Sequence, residues 1–467
     1  MNEMIIKKLL TAIYKFYPGL AGEEGQAIFS LGDYSKENID RFICLLRRYK
    51  ELLSENYECN YLIIKQIESR IYELENTYKS QSYFYYGRSF LTLFESLSTT
   101  QDNSCNKQLF IKRQDYLEDI ISQAAINLDN KMLSRIEILL TRKQFSNTCK
   151  KIEFSASDLI NEKYYSAKMR FDNLLAQKLD QAGTIVPKIS RDCFIDFVEG
   201  LCDHIYSINT IEQTSYELLK ELNGHVSHKP SKSVPVSQET ITKEYISSLI
   251  NSIEKFFSIP DALSKKKDLS SLIVSDSHPK QLTQNYRAII GFTNEDKVLL
   301  HINTKYVNDE DQLVDALIHE IFPGHYFMSM FYPDYINRYF KDISFWEGWA
   351  LFCEYYSLSK YNSSSYRSKI SAKLSHELLI GLICIRIWYR QQSKDEIIAW
   401  LQNEMKQQEK DCHRLFITSL SQYEDRLPYL VGFLAMYLLY KDKGFNKLIR
   451  LVMNAGATFY HINIIDR

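Results

Sequence analysis

Two histidines and a glutamate stand together in "HEIFPGH", residues His319 to His325. Imidazole and carboxylate groups are the side chains that bind zinc in hydrolases. In the zinc-hydrolase pattern H-E-x-x-H the histidines are four residues apart, so both rings leave one face of a helix. Here they are six apart. On an ideal helix that spacing turns the second ring about 240° from the first. Either there is no metal site, or the helix is broken between the histidines. Pro323 removes a backbone donor and clashes with the carbonyl four residues back, and Gly324 is free to take conformations closed to other residues. The pair therefore supplies the break needed to swing His325 back towards His319.

Two histidines leave a catalytic zinc site one protein ligand short. The best candidate is Glu347 in "SFWEGWALFCEYY", which reads as the next helix. Glu354 falls seven residues later on the same helical face, where it suits the orienting of a ligand histidine from behind. Ser344 to Glu347 is also the capping-box pattern S-x-x-E, in which the glutamate is purely structural. The His376–Glu377 pair is unremarkable.

Helices must position these groups. In "DEDQLVDALIHEIFPGH", Asp309 or Asp311 can cap a helix with Leu313, Leu317 and Ile321 as its apolar stripe. Just upstream, "SSLIVSDS", "YRAIIGFT" and "KVLLHINT" are short β-branched runs separated by turn signals, and they predict a small antiparallel sheet next to the active-site helix. Helical periodicity fills most of the rest, as in "SKENIDRFICLL", where Ser35 can cap and Ile39, Phe42, Ile43 and Leu46 share a face. The one Gly-, Pro- and Ser-rich stretch, "NGHVSHKPSKSVPVSQE", carries His225 and His228 and reads as a loop or linker. The predicted organisation is a helical N-terminal scaffold or lid over 1–222, a linker over 223–240, and a zinc-binding region with sheet and C-terminal helices over 241–467.

The bulk composition agrees with a mostly α chain. Among 467 residues there are only 15 glycines and 9 prolines, and scarce breakers favour long helices. The formal net charge of −1 carries no nucleic-acid footprint. The longest uncharged apolar run, Leu427 to Tyr440, is 14 residues, too short for a membrane span and suited to a buried helix. Nine scattered cysteines without a C-x-x-C pair point to reduced thiols and a cytoplasmic setting, and the N-terminus is a poor signal peptide.

"HEIFPGH" followed by "EGWALFCE" resembles a family of zinc-peptidase-like proteins of uncharacterised function whose signature is HExxPGH and then EGWALYxE. "SKDEIIAWLQNE" and the "YLVG" of Tyr429 to Gly432 are similar to that family's C-terminal helices. The likeness is specific from about residue 280 to 445. It implies a large helical metallopeptidase-like body akin to zinc carboxypeptidases and oligopeptidases. It further implies zinc on His319, His325 and Glu347, with Glu320 as general base. The family's Tyr-x-x-G position falls on Tyr429, a candidate for stabilising an oxyanion. Arg426, three residues before it, could pair with a substrate carboxylate. The chain departs from the pattern at "YEDRLPY", where Pro-Gly-Gln usually precedes the tyrosine, and at Tyr326, which replaces a histidine.

The expectation is a zinc-dependent hydrolase, a metallopeptidase cutting a peptide or small amide bond, with no nucleic-acid or membrane partner. Two rivals stand beside it: a metal-dependent hydrolase or lyase tailoring a small metabolite, and a helical binding protein with a relic zinc site. Substrate and oligomeric state are left open by the residues.

Overall fold

The computed structural model describes residues 2–17, 35–80, 103–128, 135–181, 190–225, 234–236, 241–257, 259, 272–275, 288–292, 298–302, 307–332, 340–421, 423–454 and 458–465. The chain is mostly helical and divides into two compact units, Met1–Lys188 with Pro279–Thr283, and Ile189–His278 with Gln284–Arg467.

The first unit contains α1 (Asn2–Phe16), α2 (Lys36–Ser54), α3 (Tyr57–Ser80), α4 (Asn103–Gln114), α5 (Leu117–Leu128), α6 (Arg135–Ser155) and α7 (Glu162–Gln181). The α2 helix forms for the reason its sequence gives: Ser35 accepts a hydrogen bond from the Asn38 amide, and Ile39, Phe42, Ile43 and Leu46 are buried. It packs on α1 and α3. No residue singled out for chemistry lies in this unit.

The second unit carries α8 (Arg191–Gly200), α9 (Ile208–Asn223) and α10 (Lys243–Phe257), then strands β1 (Leu272–Ser275), β2 (Ala288–Phe292) and β3 (Val298–Ile302). It continues through α11 (Glu310–Glu320), α12 (His325–Ser329), α13 (Ile343–Ser357), α14 (Ser364–Trp388), α15 (Lys394–Asn403), α16 (Glu409–Ser421), α17 (Tyr423–Lys443), α18 (Phe445–Asn454) and α19 (Phe459–Ile465). Among the described residues no helix is long and apolar enough to cross a membrane.

Two sequence expectations need correction here. The division between units falls at Lys188, not within 223–240. The α9 helix ends at Asn223, yet it buries Ile211, Leu218, Leu219 and Leu222 and packs along α14 of the second unit. Gly- and Pro-rich composition marks a loop, whereas unit boundaries are set by where contacts stop. His225 is exposed just past α9, and His228 lies outside the described residues. The sheet has the order β1-β3-β2 and is mixed: β2 runs antiparallel to β3, but β1 pairs with β3 in parallel, Leu272 opposite Val298. The two-residue alternation that marks a strand is silent on its direction. The β2 strand packs against α11.

The closest helix pairing in this unit is between α13 and α17. A Cβ on Gly432 would lie 1.7 Å from the Ser344 carbonyl oxygen, and one on Gly348 would lie 2.3 Å from the Gly432 backbone. Two glycines face each other where the helices cross, so the backbones touch. The apolar run from Leu427 to Tyr440 forms the body of α17, with Val431, Leu434, Ala435 and Met436 fully buried.

Candidate metal centre

The α11 helix starts where Asp309 accepts the Gln312 amide at 3.0 Å, and it buries Leu313, Val314, Leu317 and Ile318. His319 and Glu320 are its last two residues. The helix then widens: the Phe322 amide bonds the carbonyl of Leu317, five residues back, at 2.9 Å, a π-type turn of the kind common at functional sites. The Phe322–Pro323 peptide is cis. At Gly324 the chain folds so closely over the end of α11 that a Cβ would sit 1.8 Å from the His319 carbonyl oxygen. Only glycine fits there. A new short helix opens at His325.

This break brings the histidines together. Their ring centroids are 4.8 Å apart and nearly perpendicular. Glu347 joins them from the second turn of α13, with Oε2 at 3.4 Å from His319 Nε2 and 3.5 Å from His325 Nε2. Ligand atoms about 2.1 Å from a tetrahedral centre stand about 3.4 Å from one another, so these spacings suit one small cation. The three donors all lie within 4.8 Å of each other, and they form the one such cluster among the described residues. The side chains of His319 and Glu347 are each 18 % exposed, so the centre is reachable without being open.

The capping-box alternative for Glu347 does not hold. The cap of α13 is Asp342, which accepts from the Ser344 and Phe345 amides, and the Ser344 hydroxyl donates to the Leu201 carbonyl. Glu347 is left to face the histidines. Trp349, two residues on, is fully buried and donates its indole N–H to the Pro323 carbonyl at 2.7 Å. The helix that presents Glu347 thereby also pins the turn that presents His325.

Behind His319, Glu354 Oε1 lies 2.6 Å from Nδ1. That bond fixes Nδ1 as the protonated nitrogen of a neutral ring and leaves the Nε2 lone pair facing the centre, an arrangement typical of metal-bound histidines. His325 differs: its Nδ1 is buried and has no hydrogen-bond partner. Its ring packs 5.7 Å from that of Trp346.

Charge at these residues follows the same contacts. Burial disfavours a charged His319, but hydrogen bonds to Glu347 and Glu354 outweigh it and raise its pKa well above the usual value. Burial likewise disfavours the Glu347 carboxylate, but His325 and His319 hold its pKa far below the carboxylate range. Glu354 is also held down against burial, by Lys373 first and then by His319. An anionic oxygen beside two imidazoles is the charge pattern that a bound cation would complete.

The remaining predicted residues are placed as follows. Glu320 is half-buried at the end of α11, and its charge acts on its neighbour His319. Tyr429 is half-buried on α17, one turn before Gly432, so its helix is pressed against the one bearing Glu347. Arg426 Nη1 pairs with Glu377 at 3.0 Å. The guanidinium expected to await a substrate carboxylate is already partnered, by a glutamate set aside as unremarkable.

Sequence reasoning missed Lys373, which bridges Glu354 and Asp315 at 2.7 and 3.1 Å. A signal was present: Asp311, Asp315 and His319 recur at every fourth residue on α11, and Lys369 and Lys373 share that spacing on α14. Lys369 pairs with Asp309 and Asp311 at 2.8 and 3.3 Å.

No family model matches the sequence, and no curated protein matches it. Solved structures do. A candidate lipoprotein of unknown function from Shewanella oneidensis is similar at a TM-score of 0.66 and 13% identity, over 99% of this chain and 98% of that one. A candidate lipoprotein from Colwellia psychrerythraea is similar at 0.62 and 12%, over 99% and 98%. At such identities the likeness concerns the fold alone.

Proposed function

We propose that this protein is a zinc-dependent hydrolase of the metallopeptidase type, acting on a peptide or peptide-like amide bond. The observation that carries the reading is the convergence of His319, His325 and Glu347 across a helix break. His319 and His325 through Nε2, and Glu347 through Oε2, would hold the metal. Two nitrogens and one carboxylate with a position left open are the donor set of a catalytic zinc site, not of a closed structural one.

A zinc ion bound there would supply Lewis acidity to the scissile carbonyl and bring the pKa of a water in the open position towards about 7. Glu320, next to His319, would take the proton of that water and return it to the leaving nitrogen. Glu354 keeps His319 in the tautomer that offers Nε2. Tyr429 is our candidate donor to the developing oxyanion. The large helical metallopeptidase-like body, and the family likeness of HEIFPGH and EGWALFCE, belong to this same reading. The unpaired cysteines among the described residues fit a reducing, cytoplasmic compartment.

Digestion of a mixed peptide library by the zinc-loaded protein tests the reaction class. Cleavage that is lost in Glu320→Gln supports it. Turnover confined to small non-peptide amides would move the reading to metabolite tailoring, and a zinc-loaded protein inert on every amide would leave a binding protein.

A further inference from the structure

We propose that Lys373, on α14, is a positioning residue for the metal centre, acting on His319 through Glu354. This rests on reading the His319–His325–Glu347 cluster as a metal site, and it adds a residue from a third helix to it.

Glu354 is fully buried and uses its two oxygens separately. Oε1 meets His319 Nδ1 at 2.6 Å, and Oε2 meets Lys373 Nζ at 2.7 Å. A carboxylate at 0 % exposure cannot remain ionised without a compensating charge. The nearest fixed positive charge is Lys373, since His319 as a metal ligand would be neutral. Lys373 therefore anchors from a third helix the carboxylate that holds His319 Nδ1. By holding the far oxygen it also fixes the plane of the carboxylate, and with it the rotation of the imidazole.

A purely structural alternative exists. Lys373 also pairs with Asp315, whose side chain is 2 % exposed, at 3.1 Å, and so ties α14 to α11. The two roles separate by substitution. Lys373→Met keeps the aliphatic stem and removes the charge. Asp315→Asn removes the structural partner and spares the Glu354 contact. Glu354→Gln removes the group through which Lys373 is proposed to act.

The experiment measures zinc affinity by competition with a chromophoric chelator, at one pH, for the full-length wild type, these three variants and the Glu354→Gln/Lys373→Met double variant. Lys373→Met should weaken zinc about 10- to 100-fold, the range for lost partners of metal ligands. Asp315→Asn should stay within about twofold of wild type, and the double variant should match Glu354→Gln alone. If Lys373→Met does not fold, comparison of Asp315→Asn/Glu354→Gln/Lys373→Met with Asp315→Asn/Glu354→Gln decides, because neutralising both buried carboxylates leaves no bared charge. A further loss there, or Lys373→Met within about twofold of wild type, or an equal loss in Asp315→Asn, overturns the proposal. A wild type that binds no zinc removes the metal reading itself, an outcome distinct from a wild type that binds and a Lys373→Met that binds equally.

Discussion

The indole N–H of Trp349 donates to the carbonyl of Pro323 at 2.7 Å. Trp349 stands two residues after Glu347, and Pro323 two before His325, so one buried hydrogen bond ties the geometry of two proposed ligands. Trp349→Phe fills most of the volume but orphans the Pro323 carbonyl. We expect a loss of about 1–3 kcal/mol in stability, with weaker zinc binding. Urea unfolding and chelator competition check this; unchanged zinc affinity would show that the turn holds its shape without the indole.

Gly324 is the tightest point of the turn, where an added Cβ would lie 1.8 Å from the His319 carbonyl. Gly324→Ala must therefore push His325 away from His319. Zinc affinity should fall at least tenfold, while helix content by far-ultraviolet circular dichroism stays near wild type. A variant that binds zinc normally would mean that the turn relaxes without moving the ring.

The crossing of α13 and α17 gives a remote test. Gly432→Ala would place a Cβ 1.7 Å from the Ser344 carbonyl, and overpacking of this kind costs about 1–3 kcal/mol or more. The thermal midpoint should drop, and with it zinc affinity, because Ser344 lies one turn before Glu347. Unchanged values for both would show that the helices separate freely.

How much of this was legible beforehand depended on how local the cause was. The break at Pro323-Gly324 follows from the chemistry of those two residues, and Glu347 and Glu354 share a face by helical spacing alone. A cap at Asp309 or Asp311 was readable from residue type, and packing of the chain selects Asp309. Strand direction was not, since the β-branched runs of β1 and β2 read the same whichever way they run. Nor was the fate of Arg426: its partner Glu377 lies on another helix, and only packing brings the two within 3.0 Å. Lys373 left a trace in the fourfold spacing, but without the packing of α11, α13 and α14 that trace has no address.

Protonation gives the site a pH signature. The pKa of His319 is raised in the folded metal-free protein. Its stabilising contribution is thus complete below the unfolded value of about 6.5 and is lost as pH rises through the folded value. The carboxyls of Glu347 and Glu354 are lowered, so theirs is present above about 4.3 and lost as pH falls through the folded values. Metal-free protein should accordingly lose stability as pH rises above neutrality. Zinc must displace the His319 proton, so its affinity should climb over the same interval, with proton release on binding. Calorimetry in buffers of different ionisation enthalpy counts that proton. No release would mean that His319 is neutral in the empty site.

Glu320→Gln keeps the side-chain shape and removes the base. Hydrolysis should slow by a factor of about 10²–10⁴ with zinc content unchanged. Wild-type turnover in this variant would take Glu320 out of the mechanism.

The measurement that bears most directly on the central claim is the metal content of the protein after reconstitution with zinc and removal of excess, compared with Glu347→Ala. A three-ligand site predicts about one zinc per chain in the wild type and loss of most of it in Glu347→Ala, as also in His319→Ala and His325→Ala. Zinc retained at the wild-type level in Glu347→Ala, or no zinc held by the wild type, would contradict it.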